Sequence, residues 1–175
     1  MNIHLPFTKD VIKTLKAGDN ISVSGVMFTA RDAAHKRMAE ALAAGKPLPF
    51  DLIGQTIYYA GPCPAKPGRV IGSCGPTTSC RMDQFAPALL DLGLLAMVGK
   101  GDRSDAVADA IKRNGAVYLA AIGGAGALYA DAIKQADVIA YEDLGPESVK
   151  RLVVENMPLT VVIDCFGNNL YRRTS

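Results

Sequence analysis

The chain has 175 residues and a mass of 18.5 kDa, a little over one domain at roughly 150 residues per domain. With 49% hydrophobic and 21% charged residues, the composition is that of a soluble globular protein and excludes intrinsic disorder. A net charge of +2, from 19 Lys+Arg against 17 Asp+Glu, argues against a nucleic-acid-coating protein, and no repeat points to a solenoid.

No membrane span is expected. The longest uncharged stretch, residues 115–130, holds sixteen residues including four glycines, short of the ~20 apolar residues that cross a bilayer. The N-terminal MNIHLPFTKD has neither a basic start nor an apolar run, so no secretory signal is expected. Cys63, Cys74, Cys80 and Cys165 show no Cys-x-x-Cys spacing, which reads as reduced thiols in a cytoplasm.

Taken in chain order, Thr8 is an N-cap for a helix over residues 9–16 that Gly18 stops. Residues 21–26 alternate as a half-buried strand. A helix over 31–44 carries Ala34, Met38, Ala41 and Leu42 on one face and ends at Gly45 and Pro47. Residues 52–60 read as a strand, followed by the loop GPCPAKPG, a short strand over 69–73, and a helix starting at the Thr77-Thr78 pair. Pro87 suits the first turn of a further helix ending at Gly93, and 94–98 is a buried strand. Ser104 caps a helix that Asn114-Gly115 ends. A buried strand over 116–122 then leads through a glycine-rich bend into a helix reaching about Lys134. Strands over 137–141, 152–155 and 159–164 complete the set. Interleaved strands and helices without an internal linker predict one layered α/β domain over residues 1–175.

Polar residues cluster at element ends. Thr77, Thr78 and Ser79 put three hydroxyls at a predicted helix start with Arg81 one turn on; this suits an anion, or simply a cap with a solvated arginine. Thr29 and Arg31 repeat the arrangement at the next helix mouth, and His35 lies on the same helical face as Arg31. A lone histidine is more often a hydrogen-bonded structural residue than a catalyst. Lys100, within Gly99-Lys100-Gly101-Asp102-Arg103, stands either at a plain turn or at an anion site. Gly124-x-Gly126 invites a dinucleotide reading, but Tyr129 stands where Gly or Ala is needed, so a tight packing bend is preferred. The cysteines and histidines form no metal-ligand spacing.

The stretches TARDAAHKRM, SCGPTTSCRMDQFAP, GKGDRS and ENMPLTVVIDCFG resemble the iron–sulfur hydro-lyases of the class I fumarase and tartrate dehydratase family, in their C-terminal or beta part, from about Leu5 to Gly167. A chain of this length starting at Met looks like the beta subunit of the split form. The resemblance implies a swivelling β/β/α domain and the reversible hydration of fumarate to (S)-malate, a step of the tricarboxylic acid cycle; the alternative is L(+)-tartrate to oxaloacetate. It implies a 4Fe-4S cluster whose cysteine ligands lie on a partner alpha subunit, and no metal or cofactor ligand on this chain. It makes Thr77 the base toward the C3 proton, Arg31 and Arg81 the grips on the dicarboxylate substrate, and Lys100 a neighbour of the reacting centre. Thr78 and His35 join the substrate-binding candidates, His35 by orienting a neighbouring group. Asp102 departs from the Asn of several relatives, and Cys80 from a small residue. The expected partners are the alpha subunit and a small dicarboxylate, without nucleic acid or membrane, in a cytoplasmic heteromer; alone, the chain is expected to self-associate through the apolar patch around the site. The rival class is a non-catalytic anion-binding module.

Overall fold

The structure is a computed structural model describing residues 1–172. In chain order its elements are β1 (Asn2–His4), α1 (Lys9–Thr14), β2 (Asn20–Thr29), α2 (Asp32–Ala43), β3 (Thr56–Tyr58), α3 (Ala86–Asp91), β4 (Ala96–Gly99), α4 (Asp105–Asn114), β5 (Val117–Ala120), α5 (Gly126–Ala132), β6 (Ile133–Ala140) and β7 (Val149–Ile163). Local chemistry sets several boundaries. Thr8 Oγ1 accepts the Val11 amide at 3.3 Å and Ser104 Oγ accepts that of Val107 at 3.4 Å, each satisfying a donor that a helix start leaves open. Gly115 ends α4 at φ 62°, a left-handed conformation that costs glycine nothing. Among the described residues no helix is long and apolar enough to cross a membrane.

Seven strands form one mixed sheet in the order β1-β2-β3-β4-β5-β7-β6. Strands β1 to β5 pair in parallel in sequence order, and β7 runs antiparallel to β5, β6 and β2. Because β7 bonds both β2 and β5, the pairings β2–β3–β4–β5–β7–β2 close a ring, with β1 and β6 attached outside it. Alternation assigns the two faces. Ile57, Met97 and Tyr118 pack with Met38 of α2, Leu89 and Leu90 of α3 and Ile111 of α4. Their neighbours Tyr58, Ala96, Val98, Val117 and Leu119 turn to the opposite face, against Ile12 of α1, Leu15 just after it and Tyr129 of α5.

The structure corrects the expected elements where backbone chemistry outweighed side-chain pattern. Residues 69–73 form no strand. They meet the outgoing arm through Cys63 N–Ser73 O at 2.9 Å and Gly72 N–Cys63 O at 3.2 Å, with Arg69 N–Lys66 O at 3.0 Å closing the turn between them, and Pro62, Pro64 and Pro67 have no N–H to extend a ladder. No helix starts at Thr77-Thr78; a single 3₁₀ turn, Ser79–Met82, follows them, and Thr78 caps nothing with its side chain. Strand β3 keeps three of the nine residues expected. The strands expected over 152–155 and 159–164 are one strand, β7, which crosses an irregularity at Asn156: φ is 51° there, and its amide bonds Ser24 Oγ at 2.9 Å. Helix α5 stops at Ala132, so β6 begins earlier than the pattern implied, and β1 pairs with β2 through three residues too short to read from periodicity.

Candidate active site

Strands β2 to β5 run parallel, so the loops that leave their carboxyl ends share one end of the sheet, where α/β proteins bind ligands. Backbone bonds tie these loops together. The Thr77 amide donates to Tyr59 O at 2.7 Å, just past β3. Thr78 forms a parallel bridge with Lys100, and the Ser79 amide donates to Lys100 O at 2.9 Å, just past β4. A Cβ at Gly61 would lie 3.0 Å from Cδ and Nη1 of Arg31, so the loops after β2 and β3 touch. Arg81 Nη1 stands 3.7 Å from Asp32 Oδ2, which links the 3₁₀ turn to the mouth of α2. A Cβ at Gly123 would be 3.8 Å from Lys100 Nζ, so the lysine stem lies along the bend after β5. Five of the sequence candidates, Arg31, Thr77, Thr78, Arg81 and Lys100, therefore sit on interlinked loops at this end.

Their side chains are incompletely partnered. Arg31 Nε is buried without a hydrogen bond; its nearest carboxylate, Glu147 Oε1, is 3.8 Å away, at ion-pair range but too far to accept. Asp32 Oδ1 is likewise buried and unbonded. Arg81 is more open, its side chain 56% exposed. Among the described residues the half-buried Lys100 has no ion pair, and the hydroxyls of Thr77 and Thr78 have no hydrogen-bond partner. Of these groups Arg31 Nε is the donor held out of water without a partner; such a donor is costly and marks where a ligand could satisfy it.

His35 lies deeper than the other candidates. It is 1% exposed, its Nδ1 bonds Arg31 O at 2.9 Å, and its ring packs against Tyr59 and Phe85. A carbonyl only accepts, so Nδ1 carries the proton, and Nε2 is buried without a partner. Burial, opposed by the bond to Arg31 O, lowers its pKa from 6.5 to about 4. The unfolded chain thus binds this proton more readily than the folded one, so stability is complete above pH 6.5 and declines as pH falls toward 4. The difference is on the order of 3 kcal/mol at 1.36 kcal/mol per unit. Urea unfolding at pH 7.5 and 4.5 is expected to show wild type losing about that much more stability than His35→Asn; parallel profiles would remove His35 from this role.

Apart from Ser79, the site floor was not legible in the sequence. Tyr59, Tyr118, Ser79 and Arg103 are buried beneath the loops. Gly99 belongs to this floor, because a Cβ there would overlap Ser79 Oγ and stand 3.0 Å from the Tyr59 ring. A buried arginine has no composition signal; Arg103 reads in sequence as one more charge in a polar turn.

Residues 1–174 match a family model described as Fumarase C-terminus. The chain belongs to the fumarase C-terminus family. It is 40% identical over 174 residues to a putative L(+)-tartrate dehydratase subunit beta of Methanocaldococcus jannaschii, covering 96% of this chain and 89% of that protein. It is 43% identical over 155 residues to the mitochondrial fumarate hydratase 1 of Leishmania major, and 38% identical to the anaerobic class I fumarate hydratase of Escherichia coli K12. Each of these two alignments covers 87% of this chain, which spans 28% of either fumarate hydratase. The relatives are thus hydratases and a dehydratase.

Within this fumarase C-terminus chain, other sequence features have structural roles. The bend 123–127 is a packing bend: a Cβ at Gly126 would overlap Ser73 Oγ and stand 3.1 Å from Gly75 N, and Tyr129 is buried with its hydroxyl accepting the Ile122 amide at 2.7 Å. Asp102 is turned to the carboxyl-terminal segment, where Arg172 Nε and Asn169 Nδ2 bond its two oxygens at 3.1 and 3.2 Å. Among the described residues no three His, Cys, Asp or Glu side chains group as metal ligands. Cys63 and Cys80 are exposed, Cys165 is buried, and burial pushes the Cys74 thiol up to about 12, so its ligating thiolate form is disfavoured. The residues present do not fit an iron–sulfur cluster.

Proposed function

We propose that this chain is the substrate-gripping beta subunit of a hydro-lyase that reversibly hydrates fumarate to (S)-malate. The observation carrying this reading is the linked set of cationic loops in which Lys100 has no ion pair among the described residues and Arg31 Nε is buried unbonded. A trans dicarboxylate presents two planar anions, and a guanidinium binds such a group through two parallel hydrogen bonds. Arg31 and Arg81 are assigned those two carboxylates, with Thr78 beside them and His35 holding the Arg31 carbonyl.

The C–H beside a carboxylate is a weak acid, and its removal loads charge onto that carboxylate. Fixed cations aimed at the developing charge lower the barrier without reorganising. Lys100 is assigned this part and Thr77 Oγ1 the proton. A threonine hydroxyl is a weak base in water, so its ionised form needs the ammonium of Lys100 and the guanidinium of Arg81. The short 3₁₀ turn after Thr78 gives little dipole help, which places the demand on the side chains. The reading assigns the 4Fe-4S cluster to a partner alpha subunit. Ile122 and Leu128, exposed on either side of the 123–127 bend, are the apolar side chains it sets against that partner, or against a second copy when the chain is alone. A swivelling β/β/α domain in a cytoplasmic enzyme completes the reading.

A second reading is L(+)-tartrate dehydration. It is favoured by the relative whose length this chain nearly spans, which is named as a tartrate dehydratase subunit. Anaerobic reconstitution with the alpha subunit, assayed on fumarate, malate and L-tartrate, separates the two. In that assay Arg31→Lys and Arg81→Lys are each expected to raise KM about tenfold or more, because an ammonium cannot reproduce the two-pronged contact. Unchanged KM in both would leave the arginines a structural role; no turnover of any of the three substrates would favour a non-catalytic anion-binding module.

A further inference from the structure

We infer that Arg103 is a positioning residue, a buried guanidinium that fixes the Lys100 loop, the Thr77–Ser79 segment and the end of β3 against one another and so sets how Lys100 and Thr77 meet the substrate. This rests on the hydro-lyase reading of the site and adds a residue to it.

Arg103 is 2% exposed. A guanidinium taken that far from water is tolerated only when its charge and donors are met. Nε donates to Asp83 Oδ1 at 2.7 Å, Nη2 to the Tyr59 hydroxyl at 3.3 Å, and Nη1 reaches the Met97 sulfur at 3.6 Å. The cation also lies 4.8 Å from the Tyr118 ring centroid and 5.3 Å from that of Tyr59.

These partners come from different segments, and those that reach the candidate residues do so by one further bond. Asp83 follows the 3₁₀ turn, and its second oxygen takes the Ser104 amide at 2.7 Å, which closes the loop back on itself. Tyr59 contributes the carbonyl that accepts the Thr77 amide. The Tyr118 hydroxyl is 2.8 Å from both Ser79 Oγ and Gly101 O, and the Ser79 amide is bonded to Lys100 O. An apolar filler would occupy the same volume without fixing direction, whereas a satisfied buried polar network specifies one arrangement. From the solvent side Arg172 bonds Asp102, Asp105 and Arg103 O, so the loop carrying Lys100 is pinned on both faces.

The test uses the full chain reconstituted with its alpha subunit. In Arg103→Lys the charge stays, but one nitrogen cannot hold Asp83 and Tyr59 together; Asp83→Asn keeps the shape and removes the counter-charge. At a temperature where circular dichroism shows both variants folded, kcat is expected to fall roughly 10- to 100-fold, the scale of an ångström-level misplacement, with KM for the dicarboxylate within about twofold. In the same full-length chain, hydrogen exchange at the Thr77 and Ser79 amides is expected to accelerate about tenfold or more. A folded variant with wild-type kcat, or with unchanged exchange at those two amides, overturns the inference. If Arg103→Lys does not fold, Asp83→Asn carries both measurements. If the wild-type complex neither hydrates fumarate nor dehydrates tartrate, the functional reading fails by itself, and the exchange rates still decide whether Arg103 positions the loops.

Discussion

Thr77→Val in the reconstituted complex is expected to lower kcat by roughly 100- to 10,000-fold, the range that a positioned proton acceptor contributes, while KM for the dicarboxylate stays near wild type. Valine keeps the branched shape and removes only the hydroxyl. The Thr77 backbone is held by its own amide on Tyr59 O, independently of the side chain, so the substitution leaves that loop in place. The hydroxyl makes no hydrogen bond among the described residues, so the folded chain loses no polar contact. Steady-state kinetics with urea unfolding as a control settles the matter. A Thr77→Val complex turning over within a few-fold of wild type would transfer the proton-accepting role elsewhere.

Lys100→Met should cost roughly 100- to 1,000-fold in kcat, comparable to deleting one donor from a preorganised anion hole. Methionine is shorter and uncharged but still covers apolar surface, so the stem lying along Gly123 is largely replaced. Because Lys100 has no ion pair among the described residues, removing its charge strands no carboxylate; a stability change under about 1 kcal/mol is expected. The lysine backbone bridges Thr78 and bonds Ser79, contacts that survive the change. Activity restored by added alkylamines would tie the loss to the missing ammonium. A kcat that stays near wild type would remove Lys100 from the proposed role.

Much of the scaffold could be read from residue pattern, because helices and parallel strands obey local rules. Ser104 with Val107, Ala110 and Ile111 announces α4, and Gly115 marks its end in the conformation only glycine takes easily. What escaped the sequence depends on distant partners. The span 69–73 has strand-forming residues, but the arm across from it carries prolines, and no single-segment pattern contains that fact. The merger of two expected strands into β7 is similar, since the irregularity at Asn156 is held by Ser24, 132 residues away.

At the candidate site, Arg31, Arg81, Lys100 and Thr77 stood out because charged and hydroxyl residues at strand ends are uncommon enough to notice. His35 was singled out too, but its depth was not legible: a histidine bonded to the carbonyl of its own helix start has the same spelling as one facing solvent. Arg103 stood in the sequence only as part of the Gly99–Arg103 turn, because only the tertiary structure shows that two tyrosines and an aspartate meet around it.

The ring closed by β7 also bears on how the molecule forms. Residues Asn20 to Thr29 find their antiparallel neighbours at Lys150 to Thr160, so β2 stays half-mated until β7 has also emerged. Pairings of such sequence separation carry a large loop-closure cost before any reward, which slows folding and leaves a sticky edge uncovered meanwhile. The loops above β2 and β3 can therefore reach their final geometry only once β7 has been made, and in the interval before closure the open edge needs shielding from other nascent chains.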